Sequence, residues 1–365
     1  MTWRCSAMMT GAWMAMTLHA AEVAPETYAD VTRGYMMTFP RDFGSHASFR
    51  TEWWYVTGWL ADATGAPLGF QITFFRARTG NQLDNPSAFA AHELLIAHVA
   101  ISDPARGRLW SDQRVRRAGS GLAEAASDDT RVWIDDWRLQ RAGDGYETQV
   151  QAEGFALQLR LQVTQPPLLN GEAGFSQKGP APRSASEYYS LPHLQVRGTV
   201  TRGARRDEVK GEAWLDHEWS SQYLDTEAVG WDWVGINLQD GAALTAFQIR
   251  DGAGRQHWAG ATFRSADGVT QSSRPSQIHF HALRRWHSTR TNVDYPISWR
   301  VRVGIREWEL QPLMDDQEND TRLTSGALYW EGAVRAFENG KVVGSGYLEL
   351  TGYDKPLRLT VPGSP

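Results

Sequence analysis

The stretch GEAWLDHEWSSQ places three acid–base residues, Asp216, His217 and Glu218, in a row between two tryptophans. All three are predicted catalytic residues, because each can donate or accept a proton. Burial among apolar side chains disfavours the charged form of a carboxyl and raises its pKa. A carboxylic acid that stays protonated can give its proton to a weak base, even to an alkene. The alternative is structural: the three side chains bond to indoles or arginines and hold two domains together.

A β-strand through this stretch would separate the three residues onto two faces. Successive strand side chains point in opposite directions, so Asp216 and Glu218 would share one face, and His217 and Trp219 the other. Three adjacent residues then cannot converge on one metal ion, and the position four residues after His217 is serine, unlike a zinc protease motif. We therefore predict no metal site. The acidic stretch 315–320 lacks the glycine and spacing of an EF-hand loop and is predicted to be a solvated turn.

The chain contains 17 tryptophans, a heavy load for 365 residues. Most would fill the cores of barrels, but indoles can also wall a cavity for an apolar or cationic guest. Acids next to these indoles are candidates for the same pocket. The predicted ligand-binding residues are Glu52, Trp53, Trp54, Tyr55, Tyr189, Trp219, Trp231, Asp232 and Trp233.

The elements that would position these residues are strands. Segments such as GFQITFFRA, VWIDDWRLQR and ISWRVRV alternate apolar and polar residues with period two, whereas AAHELLIAHVAI fits a helix or a strand. Many short strands with tight turns predict an all-β protein of two antiparallel barrels. The stretch 164–190, rich in proline and glycine, is too long for a turn and is predicted to be a lid or a linker.

An internal repeat divides the chain. WWYVTGWLAD (53–62) aligns with WDWVGINLQD (231–240), and each block leads into a Phe-Gln-Ile triplet. VKGEAWLDH aligns with VVGSGYLEL, which places Glu349 over Asp216 and Leu350 over His217. We predict a tandem duplication with a first barrel at 34–222 and a second at 223–365. The missing histidine in the second copy favours a single site.

Composition and the N-terminus bear on partners and location. The formal net charge is -5 and no basic stretch is sustained, which argues against nucleic acid as a partner. Residues 1–21 contain one early arginine, a short apolar run and small residues near a cleavage point, as in a signal peptide. This predicts a periplasmic or secreted protein. The single cysteine, Cys5, would leave with that peptide, so no disulfide is expected.

Several motifs together resemble one family. FPRDFGSHASFRTEWWYVTGWL, GFQITFFR, GEAWLDHEWSSQ, GWDWVGINLQDG and YWEGAVR are similar to the carotenoid hydratase (hydroxyneurosporene synthase) superfamily, and closest to its secreted AttH-like branch. The resemblance covers residues 34–356 and implies two lipocalin-like barrels in tandem without a cofactor. Some members add water across an isoprenoid double bond, and their acid–His–x–Trp arrangement matches Asp216, His217 and Trp219. AttH-like proteins are encoded beside ABC exporter components, which implies an exporter as a partner.

Two functional hypotheses follow. The first is an exported hydratase (lyase) or hydrolase that binds an isoprenoid or lipid in an aromatic pocket between the barrels. In this hypothesis Asp216 is the general acid, His217 positions water, and Trp219, Trp231 and Trp233 line the path of a cationic intermediate. The second is a periplasmic lipid carrier that serves an ABC exporter and needs the pocket but no proton donor.

Overall fold

The structure is a computed structural model that describes residues 28–81 and 91–357. The predicted signal peptide at 1–21 lies outside these residues. The described part of the chain contains 23 strands, two short 3-10 helices (Arg41–Phe43 and Pro275–Gln277) and no α-helix, which confirms the all-β prediction. The ambiguous segment AAHELLIAHVAI contains strand Glu93–Ser102. Neither described helix has the length and hydrophobicity to cross a bilayer.

The first half of the chain forms a sheet of 13 strands. Its strands are β1 (Thr51–Asp62), β2 (Pro67–Arg78), β3 (Glu93–Ser102), β4 (Trp110–Arg117), β5 (Ala123–Ala125), β6 (Arg131–Ile134), β7 (Trp137–Ala142), β8 (Gly145–Ala152), β9 (Phe155–Gln162), β10 (Leu168–Leu169), β11 (Phe175–Gln177), β12 (Ala185–Arg202) and β13 (Arg205–Ser220). The main order is β4-β3-β2-β1-β13-β12-β9-β8-β7-β6-β5, and β10 and β11 pair with β12.

The second half forms a sheet of ten strands. Its strands are β14 (Ala228–Leu238), β15 (Ala243–Asp251), β16 (Gln256–Arg264), β17 (Thr270–Ser273), β18 (Ile278–Ser288), β19 (Val293–Val303), β20 (Arg306–Pro312), β21 (Glu318–Thr321), β22 (Ala327–Glu338) and β23 (Lys341–Thr351). The main order is β17-β16-β15-β14-β23-β22-β20-β19-β18, and β21 pairs with β22.

Each sheet curls around its own core and nearly closes into a barrel. In the first barrel the edge strand β4 approaches β6, and Arg114 and Arg116 on β4 form ion pairs with Asp136 and Asp135 in the turn after β6. In the second barrel β16 approaches β18. Alternate residues of every long strand point inward, so the apolar half of each strand is buried. This confirms the prediction of two antiparallel barrels.

The barrels pack against each other through the outer faces of β1, β13, β14 and β23. An apolar cluster that includes Tyr55, Trp214, Trp233 and Tyr347 fills this interface. The indole N–H of Trp59 also donates a hydrogen bond of 3.0 Å to the carbonyl of Gly346 across it. Residues whose side chains point out of one barrel therefore become buried against the other.

Strand pairing tests the repeat directly. Tyr55 lies opposite Asp216 in the first barrel, and Trp233 lies opposite Glu349 in the second. The alignment of VKGEAWLDH with VVGSGYLEL is therefore structurally correct, and Asp216 and Glu349 occupy equivalent positions.

The two Phe-Gln-Ile triplets occupy different registers in their hairpins. The first triplet contributes Phe70 and Ile72 to the interior of the first barrel, whereas the second contributes Phe247 and Ile249 to the interface. Trp53 lies opposite Phe75, but its counterpart Trp231 lies opposite Ile249. The second hairpin is therefore shorter (75 − 53 = 22 residues against 249 − 231 = 18). An odd shift of the triplet turns its side chains to the opposite face of the sheet.

The stretch 164–190 is neither a free lid nor a simple linker. It contains β10, β11 and the start of β12, and it crosses to the second barrel. The amide of Gly171 donates to Thr262 Oγ1 at 2.9 Å, and the Trp258 indole N–H donates to the carbonyl of Gln177 at 2.9 Å. We call residues 164–190 the bridging segment, because its backbone is bonded to both barrels.

Candidate functional site

A cavity of about 160 Å³ lies between the barrels. Its walls come from β1, β2, β3, β13, β14, β22 and β23 together with nearby loops. Seven large aromatic residues line it, namely Trp53, Tyr55, Phe75, Tyr223, Trp231, Trp233 and Tyr329. Five carboxyl residues also line it: Glu52, Asp216, Glu218, Glu331 and Glu349. The cavity therefore combines apolar walls with acids that water reaches poorly.

Asp216 is the acid with the richest set of hydrogen bonds. Its Oδ1 accepts from Ser190 Oγ at 2.5 Å and from the Trp214 indole N–H at 2.6 Å, and its Oδ2 accepts from the Tyr188 hydroxyl at 2.8 Å. Burial raises the pKa of Asp216 to about 7, although these donors oppose the shift. The Trp233 indole N–H donates to the same Tyr188 hydroxyl at 3.1 Å. Asp216 is thus held rigidly and can exchange a proton near neutral pH.

Glu218 lies beside Asp216 on the same face and is paired with a buried lysine. Lys178 Nζ lies 2.9 Å from Glu218 Oε1 and also donates to Ser176 Oγ at 2.9 Å. The ammonium group sits 4.1 Å from the ring centre of Phe247. Burial lowers the pKa of Lys178 and raises that of Glu218, and the ion pair opposes both shifts. Lys178 comes from the bridging segment, so this segment completes the electrostatics of the cavity.

Glu331 and Glu349 form a second acidic pair on the opposite wall. They lie directly opposite each other on β22 and β23. Burial raises the pKa of Glu349 to about 7, with contributions from the nearby charges of Asp216 and Glu218. Burial and the neighbouring Glu349 raise the pKa of Glu331 well above its ordinary value. Two carboxylates at this spacing repel each other, so the pair favours a state that holds a proton.

His217 points away from this cavity, into the first barrel. Its ring stacks on Trp54 with centroids 4.7 Å apart, Nε2 donates to Glu52 Oε1 at 2.8 Å, and Nδ1 accepts from the Tyr189 hydroxyl at 3.0 Å. Burial lowers the pKa of His217, which keeps the ring neutral. The predicted role of His217 as a water-positioning partner of Asp216 is therefore wrong, because the two side chains leave opposite faces of β13.

Glu52 is the centre of a polar network inside the first barrel. Its carboxylate binds Arg76 Nε at 2.8 Å and His46 Nδ1 at 2.8 Å, in addition to His217. Burial alone would raise the pKa of Glu52, but Arg76 and the two histidines hold it well below its ordinary range. Glu52 also borders the cavity, but its carboxylate is bonded within this interior network.

His46, Glu52 and His217 also lie close enough to be considered as metal ligands, since their ligand atoms fall within 4.8 Å of one another. This cluster could not be predicted from adjacent residues, because His217 is 165 positions from Glu52 in the sequence. Direct hydrogen bonds already join the three side chains, and the guanidinium of Arg76 lies against the same carboxylate. A positive charge there opposes a divalent cation, so the cluster fits a hydrogen-bonded network better than a metal centre.

The predicted ligand-binding residues therefore divide into two groups. Trp53, Tyr55, Trp231 and Trp233 line the cavity with Asp216 and Glu218. Trp54, Tyr189 and Trp219 belong to the core of the first barrel. Asp232 points into the second barrel, where Gln248 Nε2 and the Tyr353 hydroxyl donate to it at 2.7 and 2.8 Å. Trp54, Tyr189, Trp219 and Asp232 were wrong as cavity residues because strand alternation turns them inward.

The residues of the site that were not predicted from the sequence include Glu331 and Glu349, which line the cavity, and Lys178, which forms an ion pair with the cavity residue Glu218. Lys178 stands in a loop-like stretch without periodicity. Glu331 stands in YWEGAVR, and only its spacing on a strand could have marked it as outward-facing. The aligned repeat did place Glu349 over Asp216, which was a usable signal. The acidic stretch 315–320 is paired with arginines rather than simply solvated, as Asp315 with Arg284 at 2.7 Å shows.

The chain was compared with known proteins. A family model described as AttH-like matches residues 30–353. A crystal structure of an AttH candidate from Nitrosomonas europaea is 52% identical to the chain, has a TM-score of 0.85, and is matched over 89% of this chain and 99% of that one. The dehydratase asqC of Emericella nidulans is 27% identical over 177 residues, or 44% of this chain and 48% of that protein. The chain thus aligns with about half the length of this curated relative.

A more distant structure has the same fold. Kievitone hydratase from Nectria haematococca gives a TM-score of 0.66 at 15% identity, over 91% of this chain and 98% of that one. At this identity the likeness concerns the fold alone. The arrangement of two barrels around a buried interface is therefore similar in proteins whose sequences differ widely.

Proposed function

The chain belongs to the AttH-like family, and on that premise we propose that it catalyses acid–base addition or removal of water on an apolar substrate bound between its barrels. The observation that carries this proposal is Asp216, a buried carboxyl with a pKa of about 7 that lines an aromatic cavity. A general acid works best when its pKa lies near the working pH. The apolar walls suit an isoprenoid or another lipid-like alkene.

The reaction balances without a cofactor. In the hydration direction the Asp216 proton forms a new C–H bond with one alkene carbon, using the π electrons of the double bond. The neighbouring carbon becomes cationic and faces the indoles of Trp231 and Trp233, whose π faces stabilise positive charge. A water oxygen then bonds to that carbon and releases a proton to a carboxylate of the cavity. Dehydration is the reverse sequence.

The comparisons support the reaction class without naming the substrate. Two of the similar proteins are named as a hydratase and a dehydratase. We extend their chemistry to this chain only as part of the proposal. We also propose that the protein works in the periplasm or outside the cell, as the N-terminal stretch 1–21 predicts, and that an ABC exporter is a candidate partner.

The test begins with the ligand and ends with one variant. Protein purified from its own cells would be extracted with organic solvent, and the extract analysed by mass spectrometry. The recovered compound, and a panel of linear isoprenoid alkenes and their tertiary alcohols, would be incubated with the enzyme in H₂¹⁸O. We expect an alcohol that contains ¹⁸O from the alkene. Asp216→Asn should lower this turnover by roughly 10²–10⁴-fold, the usual contribution of a general acid.

The matched control is Asp232→Asn, which neutralises a buried acid outside the cavity. Its turnover should remain near that of the unmodified protein, provided that circular dichroism shows both variants to be folded. Turnover that survives Asp216→Asn would contradict the proposal. A bound compound that the protein neither hydrates nor dehydrates would instead support the hypothesis of a lipid carrier.

A further inference from the structure

The charges of the cavity do not balance. Glu218 is paired with Lys178, and Glu52 is paired with Arg76. The basic side chains that line the cavity among the described residues are Arg76 and His98. Burial lowers the pKa of His98 to about 3, so this ring is neutral. The remaining acids, Asp216, Glu331 and Glu349, therefore have no cationic partner among the residues that line the cavity.

Of these unpaired acids, Glu331 and Glu349 form the pair that a ligand in the cavity would meet. Glu349 Oε2 accepts from the Trp231 indole N–H at 2.9 Å. Glu331 is only 3% exposed, and within the described part of the chain its Oε1 has no partner at ordinary hydrogen-bond geometry. The hydroxyls of Tyr55 and Tyr329 lie close enough to Glu331 to oppose the rise of its pKa, but they bring no positive charge. A buried carboxyl oxygen without a partner costs free energy, and a second carboxyl directly opposite adds repulsion. A hydrogen-bond donor that carries positive charge would bond to this oxygen and also reduce the repulsion between the two carboxyls.

The surroundings of the pair suit an organic cation. The phenol rings of Tyr55 and Tyr329 lie near Glu331, and Trp231 is bonded to Glu349. Aromatic faces next to carboxylates bind alkylammonium groups through cation–π and charge-assisted hydrogen bonds. Among the described residues no third histidine, cysteine or carboxyl residue joins this pair at metal-ligand spacing, and an anionic headgroup would meet three acids and no free cation.

We propose that the Glu331–Glu349 pair binds the nitrogen of an alkylammonium ligand whose apolar part fills the aromatic cavity between the barrels. This inference rests on the proposed function for the cavity itself, and it adds a substrate class: an apolar amine rather than a neutral hydrocarbon. The ammonium N–H donates to Glu331 Oε1. The cation replaces the proton that the pair holds, so binding near neutral pH releases a proton to solvent.

The test uses four probes of one size on the full-length protein: hexylammonium, hexyltrimethylammonium, 1-hexanol and hexanoate. Isothermal titration calorimetry at pH 7 should show hexylammonium binding roughly tenfold or more tighter than 1-hexanol, as expected for a charge-assisted hydrogen bond with cation–π contacts. Hexyltrimethylammonium, which has the charge but no N–H, should fall between these two. Hexanoate should not bind. Titrations in two buffers of different ionisation enthalpy should reveal the released proton.

Variants separate the pair from the rest of the cavity. Glu331→Gln and Glu349→Gln should each remove most of the preference for hexylammonium over 1-hexanol. Asp232→Asn, a buried acid elsewhere, should keep it. Equal binding of the amine and the alcohol, or no binding of either, would overturn the inference. Asp216→Asn should retain the preference even where it abolishes turnover, so a failure of the proposed chemistry and a failure of this inference give different results.

Discussion

At the scale of single residues, the face of a strand decides which chemistry a side chain can perform. Asp216 and His217 are adjacent in sequence, yet one lines the cavity between the barrels and the other lies in a barrel core. Asp216 is surrounded by donors but keeps a pKa of about 7, because burial outweighs them. His217 is neutral and fully bonded between Glu52 and Tyr189. The first arrangement serves proton exchange, and the second serves stability.

The first prediction follows for His217→Ala. The substitution leaves Glu52 and the Tyr189 hydroxyl short of a partner and opens a cavity against Trp54. We expect the free energy of unfolding to fall by about 2–4 kcal/mol, while binding of apolar probes between the barrels is unchanged. Urea unfolding followed by tryptophan fluorescence measures the first quantity, and calorimetry the second.

The exposed histidine His279 supplies the comparison, since His279→Ala should change the free energy of unfolding by no more than about 0.5 kcal/mol. If His217→Ala left stability intact but abolished turnover of an identified substrate, a catalytic role for His217 would have to be restored.

Part of this site was readable from the sequence. Period-two alternation correctly separated Asp216 and Glu218 from His217 and Trp219, and it needs only local information. Which of the two faces lies inside the barrel depends on packing against distant strands, so Trp54 and Trp53 could not be sorted in advance. Lys178 could not be predicted for a similar reason, because its ion pair with Glu218 depends on the path of the bridging segment across the interface.

At the scale of elements, the fold was largely predictable and the register was not. Alternating segments and turn residues indicate strands wherever they occur, and the duplicated ends of the two halves gave the equivalence of Asp216 and Glu349. The Phe-Gln-Ile triplets are not equivalent in the two barrels, because a hairpin of different length shifts pairing without changing the local sequence. The length of a hairpin determines which residues of its two strands lie opposite each other, and the sequence of one strand alone does not reveal this pairing.

One of the close approaches that shape the contact between the barrels lies in β14. A methyl group added at Gly235 would lie 2.6 Å from the Trp233 ring and 3.1 Å from the Trp214 ring. Both indoles belong to the interface cluster, so neither ring can move freely. We predict that Gly235→Ala lowers the free energy of unfolding by about 1–3 kcal/mol through overpacking, and that it weakens ligand binding between the barrels.

Differential scanning calorimetry checks this prediction. The control is Gly252→Ala in the same barrel, where the nearest atom to an added methyl is 3.9 Å away. A melting temperature equally unaffected by both substitutions would show that the interface can adjust, and the interface would then not define the walls of the cavity.

At the scale of the whole molecule, docking the two barrels shields acids that point outward from their own barrels. Asp216 is buried and also accepts hydrogen bonds from Tyr188 and Ser190 of its own barrel, whereas Glu349 is half-buried. The same docking makes folding and protonation interdependent. Burial raises the pKa of Asp216 and of Glu349 from 3.8 and 4.5 to about 7. In the unfolded chain these carboxyls lose their protons near pH 4.

The sign of the resulting pH dependence is fixed. Between about pH 4 and pH 7 these two carboxyls bind more protons in the folded protein than in the unfolded chain. Their contribution to the free energy of unfolding therefore falls as pH rises, by up to about 1.4 kcal/mol per pH unit for each carboxyl. Glu52 acts in the opposite sense, because its pKa is lowered and its stabilisation is lost as pH falls below its unfolded value. His98 and His217, whose pKa values burial lowers, also lose stabilisation as pH falls below their unfolded value. The contribution of Asp216 and Glu349 should therefore be greatest near pH 4–5 and smallest at pH 8.

Urea unfolding at pH 5 and pH 8 tests this expectation, and the variant Asp216→Asn/Glu349→Gln tests its cause. Neutral isosteres cannot titrate, so the double variant should lose distinctly less stability over this range than the unmodified protein. Asp128→Asn, at an exposed position, should leave the difference unchanged. A change in the free energy of unfolding from pH 5 to pH 8 that is the same in the double variant and in the unmodified protein would mean that these acids are already ionised in the folded protein. Asp216 could then not be the proton donor at neutral pH, and the excess negative charge would have to be balanced by a bound cation.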